Sequence, residues 1–85
     1  MITPEQLRAA RGFLDWTRLD CAEAARISPE TVKNIEHGAF KRQEGTEQAL
    51  LDTFNAKGVQ FISVIIGPYR VSAVLQTSPA KPEGA

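Results

Sequence analysis

Apolar residues recur at helical spacing through the first 58 residues, and they predict four short helices. The first helix carries Leu7 and Leu14, the second is rich in alanine as far as Ala25, and the third buries Val32 and Ile35. The fourth helix has an apolar stripe of Leu50, Leu51 and Phe54, and Gly58 is its predicted stop.

Local signals mark where these helices begin and end. Each of the first three starts has a Thr or Ser cap, supported by a proline in the first turn or by a polar residue three positions later. The three starts are Thr3-Pro4-Glu5-Gln6, Thr17-Arg18-Leu19-Asp20 and Ser28-Pro29-Glu30-Thr31. Gly38 is the predicted stop of the third helix, and Thr46 is the predicted start of the fourth.

After residue 58 the pattern changes from helical to strand-like. Residues 59–66 and 69–75 are rich in β-branched and aromatic side chains, and Gly67-Pro68 between them is a turn signal. Residues 76–85 contain two prolines and are predicted to be a disordered tail. The predicted fold is therefore mainly α, with four short helices and a C-terminal β-hairpin in one domain of residues 1–75.

The hairpin is apolar on both faces. Alternation places Phe61 and Ile65 on one face of the first strand, and Ile62, Val64 and Ile66 on the other. A sheet that covers one small helical core needs only one apolar face. The second face therefore predicts a further contact, either with a second copy in a homodimer or with a different protein. The predicted protein-interaction residues are Ile62, Val64, Ile66 and Leu19.

Composition narrows the class of protein. The 85 residues have room for one small core, and ten Lys and Arg balance ten Asp and Glu, so the net charge is zero. This balance counts against DNA binding through a generally basic surface. The longest apolar run is too short to span a bilayer, and the N-terminus lacks a signal-peptide pattern. With one cysteine and one histidine, we expect a cytoplasmic protein without a disulfide, a bound metal or a cofactor.

The segment from Thr17 to Gly38 has the spacing of a helix-turn-helix, with a short turn at residues 26–28. The motif Ser28-x-x-Thr31-Val32-x-x-Ile35-Glu36-x-Gly38, preceded by Ala22-Glu23-Ala24-Ala25, resembles the XRE (Cro and phage-repressor type) family. Leu7-Arg8-Ala9-Ala10-Arg11, Trp16-Thr17 and Gly58-Val59-Gln60-Phe61-Ile62 resemble one subgroup of it. These are short bacterial regulators that end in a β-hairpin, and the resemblance covers residues 3 to about 72.

The resemblance implies a DNA-binding regulator of transcription and a role for each matching position. The positions that correspond to base-facing residues are Ser28, Pro29, Glu30 and Asn34. The positions near phosphate contacts are Arg18, His37, Lys41 and Arg42.

Several positions depart from the family pattern. Arg18 stands where glutamine is usual, Arg26 where the turn commonly has glycine, and Cys21 where leucine is common. Pro29 offers no donor to a base, and Glu30 brings a negative charge toward phosphates. The function that the resemblance favours is a homodimeric repressor that binds operator DNA. The alternative, favoured by these departures and the zero net charge, is an antiactivator that binds a transcriptional activator protein.

Three single residues also have simpler interpretations than a functional one. His37 is expected to be solvated at a helix end, Cys21 to be a small buried residue, and Trp16 to cover the core. No nucleophile, second histidine or glycine-rich phosphate loop accompanies the acidic residues, so we expect no enzymatic activity.

Overall fold

The computed structural model describes residues 2–39 and 44–77. Within these ranges four helices precede a two-stranded antiparallel sheet: α1 (Pro4–Leu14), α2 (Arg18–Ala25), α3 (Pro29–Glu36), α4 (Glu44–Ala56), β1 (Val59–Ile66) and β2 (Tyr69–Gln76). The predicted mainly helical chain with a C-terminal hairpin is confirmed. None of the helices in the two described ranges has the length and apolar character needed to cross a membrane.

The predicted helix starts of α1, α2 and α3 are confirmed at the level of hydrogen bonds. Thr3 with Gln6, and Thr17 with Asp20, form reciprocal capping boxes in which each side chain bonds the other residue's backbone N–H. Ser28 caps α3, with Pro29 in its first turn. These bonds satisfy amides that have no partner inside the helix, so each helix starts where the sequence indicates.

Helices α1 and α2 each end at a residue with the left-handed backbone conformation. Asp15 ends α1 with φ 56° and Arg26 ends α2 with φ 60°, although both residues carry a Cβ that disfavours this conformation. In each case the cap N–H bonds to carbonyls of the last turn, which offsets part of the strain. Gly38, with φ 74°, follows α3 at the predicted stop.

The core lies where α1 to α4 meet the start of the hairpin. Its largest fully buried side chains are Phe54, Leu7, Leu50, Val32, Val59 and Cys21. The ring of Trp16 lies half-buried with its centroid 5.2 Å from that of Phe54, so its interpretation as a core cover is confirmed. Burial of Cys21 likewise confirms the simpler interpretation of that residue.

One polar side chain fixes the hairpin on the helices. Gln6 of α1 is 4% exposed, and its Nε2 donates to the backbone oxygens of Ile62 and Ala73, at 3.0 Å each. These two residues are directly paired across β1 and β2. Gln6 therefore holds both strands at once, close to the middle of the hairpin.

The predicted element boundaries need two corrections. Helix α4 begins at Glu44 rather than at Thr46, because a glycine in the first turn costs only about 1 kcal/mol of helix propensity. The hairpin also extends past residue 75, since Gln76 belongs to β2 and the Thr77 N–H donates to the Gly58 oxygen at 2.6 Å. The rest of the predicted tail, residues 78–85, lies outside the described residues.

Candidate interaction surfaces

Helix α3 has one buried and one exposed face. Val32, Ile35 and Glu36 are buried, whereas Glu30 and Lys33 are exposed on the opposite side. The four predicted base-facing residues all lie on this accessible side or at its N-terminal end: Ser28, Pro29 and Glu30 are exposed and Asn34 is half-buried. These four positions therefore lie on one side of α3 and at its N-terminal end, and their role in DNA binding stays a prediction.

The chemistry of that surface is poor in donors. The Ser28 Oγ accepts the Thr31 amide at 3.0 Å and shares a hydrogen bond of 2.8 Å with the Thr31 hydroxyl. Pro29 has no donor, and Glu30 is an exposed acid. The first turn of α3 therefore presents neither a cation nor a side-chain amide to a ligand, and both are the usual partners of base edges.

Arg18, a predicted phosphate contact, belongs to a cluster of ion pairs around the buried carboxylate of Glu36. Its Nε donates to the Glu36 Oε1 at 3.0 Å, and the Glu36 side chain is completely buried. The guanidinium of Arg11 binds both oxygens of the same carboxylate, and the Arg8 Nη1 donates to the Glu36 backbone oxygen at 2.6 Å. We refer to Arg8, Arg11, Arg18 and Glu36 as the Glu36 cluster.

The Glu36 cluster joins three helices and sets the ionisation of its carboxyl. Burial alone would raise the pKa of Glu36, but hydrogen bonds and charges from Arg11 and Arg18 lower it below its ordinary value. The same hydrogen bond to Glu36 raises the pKa of Arg11. Glu36 shares its single negative charge between Arg11 and Arg18, so Arg18 keeps part of its charge, but its hydrogen bond to Glu36 competes with a bond to a phosphate. No local sequence pattern joins Arg11 or Arg18 to Glu36, so sequence analysis did not identify the cluster.

The other residues predicted to contact phosphates add little support for DNA binding. His37 is exposed at the C-cap of α3, as its solvated interpretation expects. Lys41 and Arg42 lie outside the described residues. Between Thr17 and Gly38 the chain carries three cations and four acids, which are Arg18, Arg26, Lys33, Asp20, Glu23, Glu30 and Glu36. Since Glu36 is completely buried, the surface of this segment carries three cations and three acids, and neither charge is in excess.

The hairpin has an inner face toward the helices and an outward face away from them. Directly paired residues of antiparallel strands share a face. Val59, Phe61 and Val74 pack against the core, so their face is the inner one. The outward face consists of the alternate positions: Gln60, Ile62, Val64, Ile66, Tyr69, Val71, Ala73 and Leu75.

Five large side chains of the outward face are open to solvent. They are 39% to 69% exposed and comprise Val64, Ile66, Tyr69, Val71 and Leu75. Of the predicted protein-interaction residues, Val64, Ile66 and Leu19 are exposed, whereas Ile62 is half-buried. Sequence analysis missed Tyr69, Val71 and Leu75, which follow from extending the alternation across the turn. Ile65, on the inner face, is 73% exposed because no described helix covers that end of the hairpin.

Within the described residues no group of three or more His, Cys, Asp or Glu side chains is arranged to hold a metal ion. No protein-family model matches the chain, and comparison with curated proteins gave no significant match. The functional assignment therefore depends on the surfaces described above.

Proposed function

We propose that this chain is a helix-turn-helix regulator of transcription that acts by binding another regulatory protein, as an antiactivator. The proposal combines the family resemblance of the sequence with two surface properties, the charge of α3 and the apolar character of the hairpin. Neither property alone identifies the partner. Together they favour protein contact over base recognition.

The helix-turn-helix part of the proposal is supported by the arrangement of α2 and α3. The two helices pack against each other and are separated by a three-residue turn, residues 26–28. Arg26 adopts the left-handed conformation at the position where the family commonly has glycine. A serine cap then starts α3 with one face exposed along its length. This is the local geometry that a recognition helix requires.

Electrostatics favours a protein as the target. A DNA-binding surface gains most of its nonspecific affinity from cations that neutralise phosphates. Here Arg18 is bound to Glu36, and Glu30 adds a negative charge at the exposed start of α3. The exposed surface of the α2–α3 segment therefore offers no excess of cations to attract a phosphate backbone.

The exposed outward face of the hairpin is the observation that carries the proposal. Completely burying one Val, Leu or Ile side chain contributes roughly 1.5–3 kcal/mol, and the five open side chains are about half exposed. Covering them would thus contribute on the order of 5 kcal/mol before the cost of association. Contiguous apolar surface of this kind marks protein interaction sites.

The test is a reporter experiment in the native host. The chain is overproduced, a promoter that it represses is selected, and the promoter's output is measured with three variants. We expect Val64→Asp to relieve repression, because it places a charge on the outward face. Ser63→Asp adds the same charge one residue away on the inner face and should leave repression intact, as should Lys33→Glu on α3. Relief by Lys33→Glu together with full repression by Val64→Asp would contradict the proposal.

Operator DNA is the second candidate, and the exposed α3 face with Asn34 on it is the observation that favours it. A gel-shift titration of the purified chain on the repressed promoter separates the two functions. Antiactivation predicts no shift even at low salt. A salt-dependent shift that Asn34→Ala makes less selective at one base pair would establish operator binding. Loss of that shift in a monomeric Val64→Asp variant would assign the hairpin to a DNA-binding dimer.

A further inference from the structure

We propose that the free edge of β2, together with the cleft between β2 and α1, binds an extended acidic segment of another protein as a third strand of the sheet. The inference goes beyond the proposed function, because it concerns a surface other than the outward face and a contact made mainly by the backbone. It holds whether or not the chain acts on transcription. Its test uses the purified chain and a synthetic peptide, so its outcome is independent of the reporter test.

The register of the hairpin shows which backbone groups lie at the free edge of β2. In an antiparallel sheet, opposed residues alternate between pairs that exchange hydrogen bonds and pairs that do not, and the latter point their N–H and C=O groups away from each other. The Thr77 N–H donates to the Gly58 oxygen, so these two residues form a hydrogen-bonded pair. The register then places Arg70, Ser72 and Val74 in non-hydrogen-bonded pairs. Their N–H and C=O groups therefore point to the free edge.

This edge has no partner strand in the described part of the chain. Within residues 2–39 and 44–77 the sheet has two strands, so β2 pairs with β1 on one side only. Edge strands are commonly protected from further pairing by proline, by a bulge or by several charges. From Tyr69 to Gln76 there is no proline, the pairing with β1 is continuous, and Arg70 is the one charged residue. The edge is therefore open to an added strand.

A cleft runs beside the same edge. Its volume is about 400 Å³, and it is lined by Thr3, Glu5, Gln6 and Ala9 at the start of α1 and by Arg70, Ser72, Ala73 and Val74 of β2. All the strand residues that line it belong to β2, so the cleft lies on the β2 side of the sheet. Because directly opposed residues share a face, a strand added at this edge would direct alternate side chains toward the cleft.

Charge and polarity along the cleft indicate the chemistry of the segment. The ion pairs of the described residues all lie within α1, α2 and α3, so Arg70 has no acidic partner among them. Glu5, on the α1 side of the cleft, lies 3.8 Å from Arg8. An acid opposite Arg70 on an added strand would form a favourable cross-strand pair. Further along, Val74 and Ala9 favour a small apolar side chain. The segment that fits is therefore extended, apolar at alternate positions and acidic at one end.

The smaller cleft on the other side of the hairpin lacks this complementarity. Its volume is about 170 Å³, and its lining consists of Ile2, Gln6, Leu51, Phe61, Ile62 and Ser63. None of these residues is charged, so this cleft has no group that selects an acidic segment. The edge of β2 is therefore the better site for one.

The probe is a peptide with blocked ends, Thr-Val-Thr-Val-Thr-Glu-Thr, titrated into the isotope-labelled full chain and followed by NMR. Placed antiparallel to β2, its glutamate lies opposite Arg70 and its valines lie opposite Ser72 and Val74. We expect the amides of these three residues to exchange rapidly in the free chain and to become protected when the peptide binds. The amides of Val71 and Ala73, which face β1, should change much less.

Two altered peptides separate the charge from the backbone contact. Lysine in place of glutamate should weaken binding to the wild type at least about 10-fold, and Arg70→Glu should reverse that preference. Methylation of the amide nitrogen of the central valine removes a main-chain donor opposite Ser72 and should also weaken binding about 10-fold. Lys33→Glu, the same charge reversal on α3, is the matched control and should leave the affinity unchanged.

Three results would overturn the inference. The first is the absence of any change at millimolar peptide, and the second is binding that tolerates the methylated valine, which would exclude an added strand. The third is protection of the β2 edge amides in the free chain. If removal of residues 78–85 abolishes that protection, the chain's own C-terminal segment occupies the edge, and if dilution abolishes it, a second copy does.

Discussion

The carboxylate of Glu36, at the end of α3, is bound on both of its oxygens by the guanidinium of Arg11 from α1. Arg11 also donates through Nη1 to the Trp16 backbone oxygen at 2.8 Å, which ties the same guanidinium to the segment between α1 and α2. Because the Glu36 side chain is completely buried, this arrangement is a structural requirement rather than a surface ion pair.

Removing Arg11 should therefore cost far more than removing a surface charge. Arg11→Ala leaves Glu36 buried with one remaining cation, and we expect a loss of about 3 kcal/mol or more in the free energy of unfolding. Arg18→Ala should cost about 1 kcal/mol, because that side chain is partly solvated. Urea unfolding measures both losses. Glu5→Gln, which breaks the exposed pair with Arg8, is the control and should change stability by less than about 0.5 kcal/mol.

The same cluster predicts a pH dependence. The pKa of Glu36 is lower in the folded chain than the value of about 4.3 expected when unfolded. The carboxylate therefore stabilises the fold fully above that unfolded value, and this contribution is lost as the pH falls through the folded value. The stability difference between the wild type and Glu36→Gln should shrink between pH 7 and about pH 3. A difference that stays constant over this range would contradict the lowered pKa.

Two glycine substitutions should have opposite effects. Gly58 has φ 84°, and a Cβ there would clash with the Thr77 backbone oxygen, so Gly58→Ala should destabilise the chain by more than about 1 kcal/mol. Gly12 lies inside α1 with no atom within 4 Å of its added Cβ. Gly12→Ala should therefore stabilise by about 0.5–1 kcal/mol through helix propensity. Thermal melts of the two variants check the sign of each change.

Local chemistry explains which parts of the fold were predictable from sequence. The capping boxes join residues only three positions apart, as in Thr17 and Asp20, and the Gly67-Pro68 turn fixes which strand residues pair. Such contacts are visible in a short window of sequence. The predicted start at Thr46 was wrong because the preceding Gly45 costs only about 1 kcal/mol of helix propensity, which is too little to prevent an earlier start.

Contacts between distant residues account for what was missed. Arg11 and Glu36 are 25 positions apart, and Gln6 and Ala73 are 67 apart. No periodicity links such pairs, so Gln6 was interpreted only as part of a helix cap. Arg18 was placed at a phosphate contact for the same reason, because its partner Glu36 could not be identified without the packing of α2 on α3.

Cys21 should be chemically inert while the chain is folded. Burial raises the pKa of its thiol to about 11, so hardly any thiolate exists at pH 8. Alkylation by iodoacetamide should therefore follow global unfolding and accelerate with urea in proportion to the unfolded population. Mass spectrometry of quenched samples measures the rate, with fully denatured chain as the reference. Rapid alkylation of the native chain would show that α2 opens locally.

The bond from Gln6 to both strands predicts a variant that loosens the hairpin alone. Gln6→Glu keeps an oxygen for the α1 capping box, but it replaces the Nε2 donor with a charge that faces the Ile62 and Ala73 carbonyls. The second carboxylate oxygen would be buried against two carbonyls with no donor there, which costs several kcal/mol, so we expect the hairpin to detach before the helices unfold. Hydrogen exchange should then speed up in β1 and β2 while amides of α1 and α3 stay protected. Glu5→Gln, one residue away and exposed, serves as the matched control and should leave both regions unchanged. Uniform acceleration across helices and strands would mean that the hairpin and helices unfold as one unit, and that Gln6 supports the whole core instead of positioning the hairpin.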